Sequence, residues 1–393
     1  MQLFVNSKAS GHFSGHHPWI LDRSIIEPTH RPEPGQIVEL VTAKGGWIGR
    51  GVYNPHSRIR VRLYQWNQRQ SLDAAWIESQ LQQAIDLRRH WMDRHHHLDA
   101  VRWVNSEGDG LSGLIVDQFG DHLVVQLTAR AMHVWEPVLV EWFQKQLSPE
   151  GIVVRIDANT AKAEGLEARE QWVIGAAPNG PFEINENGVR LRLDFAKGQK
   201  TGYYLDQRAN RRRAAAWMGS GPMLDVCCYL AGFSLAAHAA VHPESITAVD
   251  SSSKVLEQAQ VNAQLNAASI DFVQADCFDY LTELVNSNQT FETVVLDPPR
   301  MASSHGSVQA ALRAYHRLNL SAVRLLRPGG ILVTCSCSGR VSRSDFSGML
   351  AAIAGRTGRN IQIIENLGAD FDHPIMAQCP ESEYLKCLIC RVC

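Results

Sequence analysis

The stretch RPGGILVTCSCSG places two cysteines, Cys335 and Cys337, at the end of an apolar run that reads as a strand. A thiol is ionised by a few per cent near neutral pH and is intrinsically nucleophilic, so either residue could add to an electron-poor carbon. Strand alternation puts both on one side, with Cys337 nearer the carboxyl end, beside Ser338 and Gly339. Upstream, TVVLDPPR closes a second apolar run with Asp297 and two prolines. Proline has a fixed φ and no N–H, so this loop is stiff and offers a carboxylate and carbonyls to a planar, nitrogen-bearing target such as a nucleobase. Acid and thiol together suit one demanding reaction. Carbon 5 of a pyrimidine is a poor nucleophile, but sulfur addition at carbon 6 makes an enamine that takes a methyl group at carbon 5, and loss of the carbon 5 proton then releases the sulfur. Asp297, protonated or sharing a proton, would hydrogen-bond N3 of cytosine and stabilise the adduct. Without a reactive cysteine the same loop suits methylation of an exocyclic amine such as N2 of guanine, and both thiols would then be inert core.

Three other apolar runs end in acids. MLDVCCYLAGF carries Asp225 and turns through Tyr229 and Gly232, ITAVD ends at Asp250 with Ser251 next, and FVQAD ends at Asp276 with Cys277 next. A glycine in such a turn lets a ligand approach the backbone, and an acid closing the second strand can accept both hydroxyls of a ribose. Asp276 with Cys277 and Phe278 suits an adenine ring. Each acid alone also fits a helix N-cap; their order and spacing suit S-adenosylmethionine. A nicotinamide enzyme would want GxGxxG in the first turn, which CYLAG lacks.

The elements that must position these residues alternate strand and helix from Gly221 onward, which predicts parallel crossovers and a doubly wound, Rossmann-like α/β sheet with ligands beyond its carboxyl edge. Ahead of it, residues 1–71 read as a small β-rich domain and 72–187 as a mixed α+β domain opened by a helix with Ile77, Leu81, Ala84 and Ile85 on one face; 188–393 is the expected catalytic domain. Residues 1–70 hold nine Lys and Arg against four Asp and Glu, although the whole chain has a formal charge of −2. That excess favours a polyanionic partner. Arg58, Arg60 and Arg62, at every second position of a strand, and Arg208 and Arg212 in the cluster running to Arg213 are the expected RNA contacts. No apolar run is long enough for a membrane span, no secretory leader is evident, and nine cysteines without a disulfide pattern predict reduced thiols, hence an intracellular protein without membrane attachment. No metal is expected. Three adjacent imidazoles at His95–His97 cannot all face one ion, and Cys387, Cys390 and Cys393 sit in a terminal strand that points them to alternating faces.

Along nearly its whole length the chain resembles the bacterial large-subunit ribosomal RNA cytosine-C5 methyltransferases. The resemblance lies in HHPWI (16–20), GRGVYNP (49–55), WVNSEGDGLSGLIVDQFG (103–120), QKTGYYLDQRANR (199–211), LDPP (296–299), DHP (372–374) and YLK (384–386). It implies a β-rich PUA domain, a central EEHEE domain and a class I, Rossmann-like methyltransferase domain. It also implies Cys337 as nucleophile, S-adenosylmethionine as cofactor, 23S ribosomal RNA or a large-subunit precursor as partner, and a cytoplasmic location; a homodimer stays open. An RNA-binding protein that keeps the fold without activity is the alternative from another class.

Overall fold

The computed structural model describes residues 1–6, 15–26, 30–95, 98–178, 180–194, 202–301 and 308–393; the side chains of 93–97, the three adjacent histidines among them, and the motif residues 199–201 lie outside the described set. The chain divides into two compact units. One comprises Met1–Pro181, Asp194–Tyr203 and Phe371–Ser382; the other comprises Phe182–Leu193, Tyr204–Asp370 and Glu383–Cys393. The sequence reading expects one uninterrupted stretch from 188 to 393, whereas Phe371–Ser382 belongs to the first unit. There Arg88 donates to the Asp372 carbonyl at 2.8 Å, and the Arg102 amide donates to the Asp372 carboxylate at 3.0 Å. Those bonds satisfy buried polar groups that an apolar setting would leave costly.

In the first unit, β1 (Gln2–Val5), β2 (Trp19–Leu21), β3 (Ile37–Thr42), β4 (Trp47–Tyr53) and β5 (Ile59–Gln65) form one sheet in the order β1-β3-β4-β5-β2. Alternation buries Leu3, Val5, Ile20, Val38, Leu40, Val61 and Leu63 on its inner face. Gly51 permits the close approach of β4 to β5: a Cβ there would lie 2.1 Å from the Arg62 carbonyl oxygen. A helix α1 (Ala74–His95) follows, its buried stripe formed by Ile77, Leu81, Ala84 and Ile85 as the spacing predicts. The second sheet, in the order β10-β9-β8-β7-β6, comprises β6 (Ala100–Asn105), β7 (Leu114–Phe119), β8 (His122–Leu127), β9 (Gly151–Ile156) and β10 (Arg169–Ile174). Helices α2 (Arg130–His133), α3 (Glu136–Leu147) and α4 (Ala158–Glu164) lie between its later strands in sequence.

Arg62 corrects one expectation. It does not project to solvent but is buried, donating to Ser112 Oγ at 2.6 Å and pairing with Glu107 at 3.1 Å. Burial alone would raise the Glu107 carboxyl, yet Arg62 and the Ser106 and Ser112 hydroxyls hold it below the usual range. Arg58 is exposed, and Arg60 is half-buried with its guanidinium on the Pro55 carbonyl. Removing one partner of a buried ion pair strands the other, so Arg62→Ala should destabilise this unit by about 3 kcal/mol, read as a lower urea midpoint. Arg58→Ala should change stability by less than about 0.5 kcal/mol in the same titration.

The second unit opens with the hairpin β11 (Phe182–Glu186) and β12 (Val189–Leu193), then α5 (Arg208–Ala215). Strand and helix then alternate: β13 (Met223–Val226), α6 (Gly232–Val241), β14 (Ile246–Asp250), α7 (Ser253–Leu265), β15 (Asp271–Gln274), α8 (Cys277–Asn286), β16 (Phe291–Leu296), α9 (Val308–Leu325), β17 (Leu326–Ser336), α10 (Arg343–Thr357), β18 (Ile361–Leu367) and β19 (Lys386–Val392). The sheet runs β15-β14-β13-β16-β17-β19-β18, and β19 is antiparallel to both neighbours. Strand order reverses between β13 and β16, which opens a crevice at their carboxyl ends. Apolar residues of α9 and α10 seal the sheet's core, with Tyr315 and Phe346 stacked edge to face. Among the described residues no helix is long and apolar enough to cross a membrane.

The arginines of α5 separate by helical period. Arg208 is buried against Asp370 at 2.7 Å and Arg211 against Glu186 at 2.6 Å, so the expected RNA contact at Arg208 is a structural ion pair. Arg212, one residue further round the helix, is exposed.

Candidate active site

The residues singled out at strand ends converge on the carboxyl edge of the second unit's sheet. Asp225 lies on β13, in register with Val295 of β16, and the Asp297 amide donates to the Val226 carbonyl at 3.2 Å. Pairing of β16 with β17 aligns Leu296 with Thr334, so the loops beginning at Asp297 and Cys337 leave the sheet side by side.

On the β13–β14–β15 side, Asp225 is buried and its Oδ2 accepts from the Ser234 amide at 3.1 Å and hydroxyl at 2.7 Å, capping the start of α6. Its Oδ1 is buried without a hydrogen-bond partner. Burial pushes this carboxyl up to about 6, with the neighbouring Asp250 adding and Ser234 opposing. The turn after β13 holds Cys227, Tyr229 and Ala231 at φ 61°, 50° and 61°. Non-glycine residues pay steric strain in that region, so the turn is held rather than relaxed. The expected glycine takes no part in it, since Gly232 is the first residue of α6.

Asp250 ends β14 half-buried; its carboxylate accepts from the Tyr229 and Ser252 amides at 3.2 and 3.0 Å, fixing its orientation while lone pairs remain. Ser251 is exposed beside it. Asp276 caps α8 through the Phe278 and Asp279 amides at 2.8 and 3.3 Å, so the bland reading of that acid holds for one of its oxygens. Cys277 starts α8 and hydrogen-bonds Cys227, which holds the Cys227 proton on and draws the Cys277 thiol below its ordinary value. Half-buried Phe278 carries the Arg317 guanidinium 3.8 Å from its ring centroid. An unpartnered buried carboxylate oxygen, an oriented carboxylate at the second strand end and a flat half-buried wall suit an amine, a ribose diol and a purine. S-adenosylmethionine carries all three, and Asp225, Tyr229, Asp250 and Phe278 are the residues that would hold it.

On the β16–β17 side the two cysteines part company. Cys335 is fully buried, paired in register with Cys387 of β19, and its thiol is pushed well above the ordinary value by burial. Cys337, one step past β17, is half-exposed, with its sulfur 3.9 Å from the Pro298 carbonyl. Ser338 pins the turn. Its hydroxyl accepts from the Met301 amide at 3.1 Å and contacts the Tyr315 hydroxyl at 3.1 Å.

Burial pushes the Asp297 carboxyl up to about 7, the Asp206 carboxylate adds to the effect, and a hydrogen bond from Gln207 opposes it. Gln207 is itself held by Asn210 at 2.6 Å, and Asp206 accepts from the Tyr384 hydroxyl at 2.6 Å. Burial also raises the Tyr204 hydroxyl, with Tyr229 and Cys337 adding. Lys386 is buried, donating to the Ser338 carbonyl at 2.7 Å and the Tyr384 carbonyl at 2.9 Å. Sequence reasoning assigned no role to Tyr204, Asp206, Gln207 or Lys386. The available signals were polar residues packed into YYLDQ ahead of a helix and a lone lysine opening the apolar strand KCLIC.

The other candidate cluster among the described residues is His17, Cys379 and Glu381 in the first unit. His17 Nδ1 accepts from the Trp19 amide at 3.1 Å, which leaves Nε2 as donor to Glu381 at 3.0 Å, so the trio is a hydrogen-bonded link.

Comparison with known proteins agrees with this geometry. Residues 3–66 match the PUA-like domain family and residues 163–389 match the S-adenosylmethionine-dependent methyltransferase family. The chain is 34% identical to the ribosomal RNA large subunit methyltransferase I of Klebsiella pneumoniae (strain 342), over 96% of this chain and 94% of that protein. It is 35% identical to the protein of the same name from Shewanella denitrificans, over 96% and 95%. A structure from Streptococcus mutans assigned as a SAM-dependent methyltransferase shares the fold, with a TM-score of 0.85 and 20% identity over the whole of both chains. The chain belongs to the S-adenosylmethionine-dependent methyltransferases, and within them to the ribosomal RNA large subunit methyltransferase I family.

Proposed function

We propose that this enzyme methylates carbon 5 of a cytosine in large-subunit (23S) ribosomal RNA through a covalent bond between Cys337 Sγ and carbon 6. The observation that carries the reading is the half-exposed Cys337 thiol beside the Asp297-Pro298-Pro299 loop, with Cys335 sequestered in the sheet. An exocyclic-amine methyltransferase has no use for that thiol.

Bound S-adenosylmethionine supplies an electrophilic methyl group. The chain's own residues make carbon 5 able to take it. The Cys337 thiolate adds to carbon 6 as protonated Asp297 gives its proton to N3, so the ring stays neutral and becomes an enamine. After methylation, the carbon 5 proton passes to water as the C6–S bond breaks and the sulfur leaves as thiolate, and N3 returns its proton to Asp297. A stacked or paired cytosine must be flipped out to reach Cys337, at a cost of a few kcal/mol. Exposed Arg58 and Arg212, with half-buried Arg60, are the arginines of the original set that remain suited to phosphate contact, and the cytoplasm is where such a substrate is met.

The test is to incubate the protein with labelled S-adenosylmethionine and unmodified ribosomal RNA, then digest to nucleosides. Labelled 5-methylcytidine supports the reading. Labelled N2-methylguanosine refutes it in favour of direct amine methylation, and cofactor binding without any labelled nucleoside points to a silent RNA-binding protein.

A further inference from the structure

Lys386 opens β19 with Ser336 of β17 as its register partner, one residue short of Cys337. Its side chain is 1% exposed, and two of its three N–H bonds go to the carbonyls of Ser338 and Tyr384. Among the described residues no carboxylate forms an ion pair with it. A buried ammonium without a counter-charge is costly, and carbonyl dipoles repay only part of that cost. The ammonium is bound to the carbonyl of the residue that follows Cys337, so the missing anion has an obvious source.

We propose that Lys386 is a positioning residue that holds the Cys337–Ser338 turn and supplies the positive charge that keeps the Cys337 sulfur anionic. The proposal rests on the reading of Cys337 as nucleophile and names the group that activates it. Balance is simple: Cys337 releases its proton to solvent, leaving a half-exposed thiolate near the buried ammonium. Burial lowers the Lys386 ammonium to about 8, while Cys337 and Glu383 pull it up and Arg343 pulls it further down. Tyr204 and Tyr315 also interact with Cys337, and burial raises both hydroxyls, so neither carries charge near neutral pH; Asp297, whose loop lies beside the sulfur, is raised to about 7 and opposes the thiolate once it ionises. Lys386 is therefore the cation whose charge the thiolate can share, until that charge is lost above about pH 8.

The experiment alkylates the full-length protein with iodoacetamide across a range of pH and follows the Cys337 peptide by mass spectrometry, in the native chain and in Lys386→Met and Lys386→Arg. Native Cys337 should reach its half-maximal rate below the ordinary thiol value of about 8.5. Lys386→Met should move that midpoint up by about one pH unit, leaving about tenfold less thiolate and about tenfold slower methyl transfer near neutral pH, with the alkylation rate recovering in alkali. Lys386→Arg, which keeps the charge, should restore the low midpoint. A native midpoint at or above 8.5 overturns the proposal without any variant, as does a Lys386→Met profile that does not move while activity falls equally at every pH. Persistent 5-methylcytidine formation by Cys337→Ala would refute the nucleophile reading and leave the alkylation result standing, so the two failures are separable.

Discussion

Cys337→Ala should lower 5-methylcytidine formation by about 10⁴-fold or more, because without the sulfur carbon 5 never gains enamine character. Binding of S-adenosylmethionine should survive, since the residues suited to it lie at the ends of β13, β14 and β15 rather than β17. Cys335→Ala is the matched control. Its thiol is sealed in the sheet against Cys387, so the variant should lose some stability and keep its turnover per folded molecule. Equal loss in both variants would mean that the strand end tolerates no change, and that neither thiol had been tested. Rates normalised to the folded fraction separate these cases.

Asp297→Asn should lower kcat by about 10²-fold while KM changes little. Asparagine keeps a donor and an acceptor for the cytosine edge, so the base is still recognised, but it has no proton to give to N3. The pH profile carries the sign. In the proposed mechanism Asp297 acts as an acid, and its folded value is raised to about 7, so its contribution should be present below that value and fade as pH rises through it. The Cys337 thiolate grows in the opposite direction, which gives a bell-shaped profile whose alkaline limb belongs to Asp297. The residual rate of Asp297→Asn should rise with pH and lack that limb. Stability provides a control on folding. Because the folded value lies above the unfolded one of about 3.9, the folded chain binds the proton more tightly, and this carboxyl costs stability as pH climbs from about 4 to 7. Asparagine removes that cost, so the variant should be no less stable than the native chain in mild alkali. A variant that unfolds there would show that Asp297 acts through structure.

The catalytic unit was legible because its signals are local. Short apolar runs ending in Asp225, Asp250, Asp276, Asp297 and Cys337 mark strands and the edge where ligands bind, and helices between them force parallel pairing. The separation of Cys335 from Cys337 also followed from position, since a residue inside a strand is covered and one beyond it is free to face the crevice. Arginine roles were not legible, because alternation and charge say which side chains share a face but not what covers that face. Arg62 meets Glu107 across 45 residues of sequence, and Arg208 meets Asp370 across 162, so both read as solvent-facing cations until the partners are known. The strained turn at Cys227, Tyr229 and Ala231 was hidden for a related reason: the sequence advertises left-handed backbone through glycine, and here three larger residues bear it. Lys386 escaped because a lysine in a terminal strand ordinarily points to water, and only the neighbouring carbonyls reveal that this one does not. The excursion of Phe371–Ser382 into the first unit is likewise invisible to periodicity, which reports elements and not the path between them.

The most direct test of the covalent account replaces cytosine by 5-fluorocytosine in the target RNA and supplies S-adenosylmethionine. After sulfur addition and methyl transfer, carbon 5 carries fluorine where a proton must leave, so the enzyme cannot be released. The account predicts a denaturation-resistant protein–RNA complex whose mass includes the methyl group and whose crosslinked peptide contains Cys337. A target RNA that is methylated or released without any covalent complex, or a complex attached through another residue, would contradict it.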